Sequence, residues 1–253
     1  MGGVGSGTTV DHVEVFANKD DGIEIFGGTV NVTHAVVAFC GDDALDFDES
    51  WAGSIQFAFT ITAPVAGLGE HAVEYDGSEA TDLSPQTTGR IFNATFIGAG
   101  ESSANSDSRG LRLRNDAQAQ FWNCIWTEMT DYAFRWDDNA RTLTLANNVV
   151  YNIGGKLERN DRDAELSGIV SMDDPMLGGV AWEPNMGLDP RLDTGSYALT
   201  GAVFPENDPF ATVVDFHGAF GNTDNWADGW TALAEYGYFG DLVATSTVDL
   251  GSN

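Results

Sequence analysis

Positive charge is what this 253-residue chain most lacks. It carries 11 Lys and Arg against 39 Asp and Glu, a formal net charge of −28, and only Lys19 and Lys156 are lysines. Such a surface repels nucleic acid and anionic lipid head groups, so partners of those classes are excluded. It suits a high-salt habitat, calcium binding, or plain solubility. Cysteine is almost absent: Cys40 and Cys124 cannot make a disulfide framework. No apolar run reaches the roughly 18 residues of a membrane span. No signal peptide opens the sequence, and the Gly-Ser-Gly turn near the start reads as the beginning of a fragment. A Gly-x-Ser-x-Gly elbow, a phosphate loop and a paired-Cys metal motif are all missing, which removes the commonest local signatures of hydrolase, nucleotide and zinc-finger chemistry. Proline is unevenly spread, with five of seven (Pro175, Pro184, Pro190, Pro205, Pro209) in the last hundred residues.

What is present is a repeat. Asp20-Asp21-Gly22-Ile23-Glu24-Ile25 returns 22 residues later as Asp42-Asp43-Ala44-Leu45-Asp46-Phe47. The same small, apolar, charged, apolar pattern recurs at Ala72-Val73-Glu74-Tyr75, Gly110-Leu111-Arg112-Leu113 and Ala133-Phe134-Arg135-Trp136. Alternation with period two marks a strand with one buried face. A second segment is interleaved with it: Val10-His12-Val13, Val32-His34-Ala35, Ile55-Phe57-Ala58, Ile91-Asn93-Ala94, Phe121-Asn123-Cys124 and Leu145-Asn147-Asn148. Two or three short strands per unit and no helical periodicity predict a parallel β-solenoid whose coils stack at about 4.8 Å. Asn123 and its equivalents are expected at an inner corner, bonding the coils above and below. Cys40 and Cys124 fall three coils apart, about 14 Å, so they are expected to be buried and unbridged.

The sequence resembles the right-handed parallel β-helix proteins of the pectate-lyase-like superfamily. Within these it is similar to secreted or surface-anchored bacterial β-helix proteins. The residues that carry the resemblance are Gly5-Ser6-Gly7-Thr8-Thr9-Val10-Asp11-His12-Val13, the Asp20-Asp21-Gly22 turn and Phe26-Gly27-Gly28-Thr29-Val30-Asn31. Later matches are Gly187-Leu188-Asp189-Pro190-Arg191, Gly195-Ser196, Gly218-Ala219-Phe220-Gly221 and Trp226 with Gly229-Trp230-Thr231. The resemblance implies an all-β right-handed parallel β-helix of about six coils. It also implies an extracellular or cell-surface location, and upstream coils of a longer chain as one partner. Residues 1–155 are read as the coils and 156–253 as an irregular flank or cap packed on them. Trp226 to Tyr238 is expected to hold a short helix with Trp230, Leu233 and Tyr236 or Ala234 on one side. The stretch after Ala244 reads as polar and loose.

Three places draw chemical attention. The turn column reads Asp20, Asp42, Glu70, Ser108, Asp131 in register. Each Asp either caps its own turn as an Asx-turn or shares a calcium ion with its neighbours. The outward column reads Glu24, Asp46, Glu74, Arg112, Arg135, and its sign changes between coils three and four. Arg109, Arg112 and Arg114 are expected to face His71, Glu74 and Asp76. Extra residues at Thr62–Gly69, Asp76–Thr88 and Gly98–Asp107 are expected to stand side by side as a rim over that face. Polysaccharide lyases of this fold hold a uronate with calcium and use an Arg or Lys base. The resemblance therefore implies Glu70, Glu74 and Asp76 as calcium ligands and Arg112 as base, with Arg109, Arg114 and His71 beside them as candidate substrate contacts; Trp122, a flat aromatic near acids and amides, either stacks on a sugar ring or packs in the core or cap. The other reading of the same column is a cross-strand ion-pair ladder. Finally, His12 and His34 are expected to stack. They are two potential metal ligands without an evident third, or a corner ladder equivalent to Asn93 and Asn123. Two functions remain: a non-catalytic structural or glycan-binding module whose partner is a polysaccharide or cell-envelope glycan, or a calcium-dependent polysaccharide lyase or related glycan-degrading enzyme.

Overall fold

A computed structural model describes residues 1–77, 86–137, 142–160 and 163–240. Two long parallel sheets dominate it. The first, sheet A, stacks Gly2–Val4, Ile23–Gly28, Leu45–Asp48, His71–Asp76, Arg109–Arg114, Tyr132–Trp136 and Lys156–Glu158 in chain order. Ile23 pairs with Leu45, Leu45 with Val73, Val73 with Leu111, and Leu111 with Phe134. That is the register the repeat predicts, and it makes the chain a parallel β-helix. The apolar partners of each strand point inward, where Ile25, Leu45, Phe47, Val73, Tyr75, Leu111 and Phe134 are wholly buried. At the corner leading into sheet A the coils close on one another. A side chain at Gly110 would meet the Ala133 carbonyl oxygen at 2.1 Å, so only glycine fits.

Sheet B begins with three eight-residue strands, Thr9–Phe16, Asn31–Ala38 and Ser54–Ile61. From coil four each divides in two: Arg90–Phe92 with Thr95–Ile97, Gln118–Trp122 with Ile125–Thr127, Thr142–Ala146 with Asn148–Tyr151. The break falls on the second repeated segment. His12, His34, Phe57, Asn93, Asn123 and Asn147 all take a left-handed backbone, with φ between 46° and 61°. Such a residue interrupts the in–out alternation of a strand. Ile91 and Ala94, or Phe121 and Cys124, can then both face the core, and the residue between them turns away from it.

This corrects the expected inner ladder. Asn123 Nδ2 donates to the Val203 carbonyl (2.8 Å), and Val203 N donates to Asn123 Oδ1 (2.8 Å). Asn93 Nδ2 donates to Phe216 O, and Asn147 Nδ2 to Gly201 O, each at 2.7 Å. The ladder also links coil to coil, through Asn147 Nδ2 to Asn123 Oδ1 at 3.1 Å and Gln56 Nε2 to Asn93 Oδ1 at 3.2 Å. The corner is a fastening for the C-terminal segment.

Sheet strands continue to Ile169–Ser171, and the segment beyond runs along the outer side of sheet B from coil one to coil six. Phe220 packs edge-on against Phe59, and Leu192 and Ala198 lie with Ile125 and Val149. The helix is a single turn, Ala232–Glu235. Glu14 of coil one accepts from Leu233 N at 3.2 Å and from Ala232 N, satisfying amides that a helix start leaves open. Of the expected apolar side only Leu233 is buried; Trp230 is 38% and Tyr236 60% exposed. Gly229 and Gly237 end the turn on either side with positive φ, so no longer apolar stripe forms. Residues 241–253 lie outside the described residues, as do 78–85 of the insertion Asp76–Thr88. Cys40 and Cys124 are buried and unbridged, as expected.

Asn123 couples backbone strain to a buried bond pair, so Asn123→Ala should destabilise by about 2–4 kcal/mol. Asn123→Gly relieves the backbone and should recover part of that loss. Urea unfolding of the three proteins measures both.

Candidate functional site

The outer face of sheet A carries the charged column as read from the repeat: Glu24 beside Asp46, Asp46 beside Glu74, Glu74 beside Arg112, Arg112 beside Arg135. The coil-four arginines are committed to acids. Arg112 Nη1 lies 3.2 Å from Glu74 Oε1 and its Nη2 3.1 Å from Asp137 Oδ2. Arg114 Nη2 is 2.6 Å from Glu74 Oε2, and its Nε 3.0 Å from Asp76 Oδ2. Arg109 spans Asp131 (3.0 Å), Asp107 (3.1 Å) and Glu70 (3.2 Å). Burial opposes the charge on Arg112, but Glu74 and Asp137 outweigh it and raise the guanidinium pKa above its ordinary value. For Arg109, Asp131 and Glu70 do the same. Both shifts run opposite to what a proton-abstracting base requires.

His71 is brought to this cluster but is sealed within it. Its Nδ1 is 2.8 Å from Asp43 Oδ1, and its Nε2 2.8 Å from the Tyr132 hydroxyl. Burial pushes the Tyr132 phenol up to about 12, so its hydroxyl stays protonated at neutral pH. Asp43 Oδ1 also accepts from the His71 backbone N–H at 2.7 Å, and Asp21 Oδ1 from Asp43 N at 3.0 Å. The corner carboxylates thus bond the following coil, where Asx-turns would have bonded their own. Trp122 is on sheet B, stacked at 6.3 Å on Phe92 beside Phe204, and does not reach the arginines.

The family's calcium set can be tested on these contacts. Glu70, Glu74 and Asp76 each hold an arginine, which leaves them poorly disposed toward a cation. The acids of the first coils fit better. Oxygens of Asp20, Asp21 and Asp42, and of Asp21, Glu24 and Asp46, lie within 4.8 Å of one another. Asp46 is only 8% exposed, and its Oδ1 has no hydrogen-bond partner. Burial, then Asp48 and Glu74, push its pKa up to about 9. Burial and neighbouring acids take Asp21 and Asp48 to about 7.

The insertions divide between two corners. Thr62–Gly69 and Gly98–Asp107 stand together: Asn105 Nδ2 donates to Ala63 O (3.1 Å) and Leu68 O (2.8 Å). The insertion after Asp76 leaves from the opposite end of the sheet A strand, and its residues 78–85 lie outside the described residues. Beside the two-loop corner lies a groove of about 560 Å³ that the sequence reading missed. Gly100, Glu101 and Ser103 form one wall, and Trp182 and Met186 of the C-terminal segment the other. Trp182 Nε1 donates to Gly98 O at 2.9 Å, and a side chain at Gly100 would meet the indole ring at 2.6 Å. Glu128, raised by burial and held by Asn152 Nδ2 at 2.8 Å, closes one end.

The family model for the pectate-lyase like beta helix domain matches residues 1–171. That is more than half of the chain, and the protein belongs to this family. Comparison with curated proteins and with solved structures gives no match.

The raised acids set a pH dependence. An acid whose folded pKa exceeds its unfolded value near 4 favours the folded state while protonated. That stability is full below about pH 4 and is lost progressively up to about pH 9 for Asp46, and up to about 7 for Asp21 and Asp48. In chelator, Asp46→Asn should therefore raise the melting temperature at pH 8 and change it little at pH 4. Thermal melts at the two pH values check this.

Proposed function

We propose that this chain is an extracellular or cell-surface β-helix module with a structural or glycan-binding role and no catalytic one. The observation that carries this reading is the commitment of all three guanidiniums on the sheet A strand Arg109–Arg114 to carboxylates. Arg112 as base would have to leave Glu74 and Asp137, and would leave Arg114 alone to neutralise the buried Glu74 carboxylate. The groove supports the glycan half of the proposal. Trp182 offers a flat apolar ring, and Ser103, Asn152 and the surrounding carboxylates offer polar contacts. Glu101, Glu128 and Glu183 line it without any Lys or Arg, which favours a neutral or amine-bearing sugar over a uronate. A polysaccharide or cell-envelope glycan is the partner this chemistry suits. Upstream coils of a longer chain would stack on the edge strands Gly2–Val4 and Thr9–Phe16.

A calcium-dependent polysaccharide lyase is the second reading, favoured by the unpartnered Asp46 oxygen among Asp21, Glu24 and Asp46. Calcium there would supply positive charge for a uronate carboxylate. Arg109 and Arg114 would then contact substrate only by exchanging their present acids for it.

Incubation with acidic polysaccharides, with and without calcium, separates the readings by the ultraviolet absorbance of an unsaturated product. The proposal expects none; product formation that disappears in Arg112→Ala overturns it. Affinity electrophoresis in neutral and amino-sugar polysaccharides should show retardation that weakens about tenfold in Trp182→Ala. Equal retardation of both proteins would remove the groove from the account.

A further inference from the structure

Coils one and two stack His12 on His34, with ring centroids 4.4 Å apart and planes at 25°. Two histidines alone make an incomplete ligand set. The structure supplies the third donor, from the residue just before His12. Asp11 Oδ1 lies 3.0 Å from His12 Nδ1 and 2.8 Å from His34 Nδ1. The donor atoms of all three residues lie within 4.8 Å of one another. Borderline divalent ions bind imidazole nitrogen and carboxylate oxygen at about 2.0–2.2 Å, which puts neighbouring donors roughly 3 Å apart around an octahedral ion and roughly 3.4 Å around a tetrahedral one. The measured Asp–His edges are on that scale. Two imidazoles with one carboxylate select zinc, nickel or copper over calcium and magnesium.

The surroundings hold the three side chains in place. Thr33 Oγ1 donates to Asp11 Oδ1 at 2.7 Å. Phe57 stacks against His34 at 5.1 Å, and the edges of Trp226 and Trp230 contact the two imidazoles from the C-terminal segment. Both histidines occupy the left-handed corner, with φ of 53° and 50°. The side chains of Asp11 and His12 remain 43% and 44% exposed, so solvent has access to complete a coordination sphere. The other histidine-containing group, Asp43 with His71 and Glu74, is already spent: both His71 nitrogens have partners, and Glu74 holds two arginines.

We propose that Asp11, His12 and His34 form a surface site for one borderline divalent transition-metal ion, with zinc(II) as its representative and water in the remaining positions. The ion ties coil one to coil two at the corner where the C-terminal segment docks.

Calorimetric titration of the metal-stripped chain with zinc chloride tests this, with excess calcium present to occupy the carboxylate clusters. The informative variant is His34→Asn, because Asn93, Asn123 and Asn147 hold the equivalent corner in coils four to six with the same backbone. Wild type should bind one equivalent of zinc, and its melting temperature should rise with the ion. His34→Asn and Asp11→Asn should bind at least about tenfold more weakly, with metal-free melting close to wild type for His34→Asn. Undiminished affinity in both variants, or no stoichiometric binding by wild type, overturns the proposal and leaves a hydrogen-bonded cluster only. Should His34→Asn fail to fold, electron paramagnetic resonance of the wild-type copper(II) complex decides. A two-nitrogen signature supports the site, and oxygen-only coordination overturns it.

Discussion

Each strand position within the coils stacks on its counterpart one coil away. Parallel in-register stacking brings equivalent side chains to about 4.8 Å of one another along every column. A column must therefore be compatible with itself. Apolar columns meet this condition at once, and they form the continuous core from Ile23 to Phe134. Glycine or alanine at the corner before sheet A meets it by leaving room for the next backbone. Charged columns meet it by changing sign or by giving up charge, and the outward column changes sign between Glu74 and Arg112.

The chemistry of the surface follows from that condition. Coil-four arginines neutralise the acids of coil three, which leaves the acids of coils one and two to share protons or a cation. An arginine recruited to settle a column is held in place and held charged, a poor starting point for proton abstraction. Concave surface arises where the stack is interrupted. Two inserted loops and the C-terminal segment meet at one corner, and Trp182 is fixed there against Gly98 and Gly100.

Much of this was legible in the sequence, because columns are a direct transcription of the repeat. The register of Glu24, Asp46, Glu74, Arg112 and Arg135 emerged from pattern alone, as did that of Val10, Val32, Ile55, Ile91, Phe121 and Leu145. The direction of the corner ladder did not, since its left-handed backbone breaks the period-two rule on which inward and outward were assigned. Asn, His and Phe sharing one position was the available signal, because Asn favours that conformation. An Asx-turn reading of the acidic corner does not reach the bonds from Asp21 to Asp43 and from Asp43 to His71. Their spacing of one coil length pointed instead to the neighbouring coil. Trp182 and the flank were invisible to repeat analysis, because that segment has no repeat and docks through single contacts. Asp11 was passed over because in-line alternation separates it from His12; the positive φ at His12 brings them together.

The account depends on Arg112 and Glu74 being a settled pair. A double-mutant cycle of Glu74→Gln and Arg112→Met, read by urea unfolding, measures that coupling directly. A coupling of about 1 kcal/mol or more, with each single variant less stable than the pair of changes together would suggest, is the predicted result. Additive effects with no coupling would contradict it, and would return Arg112 to the pool of free bases.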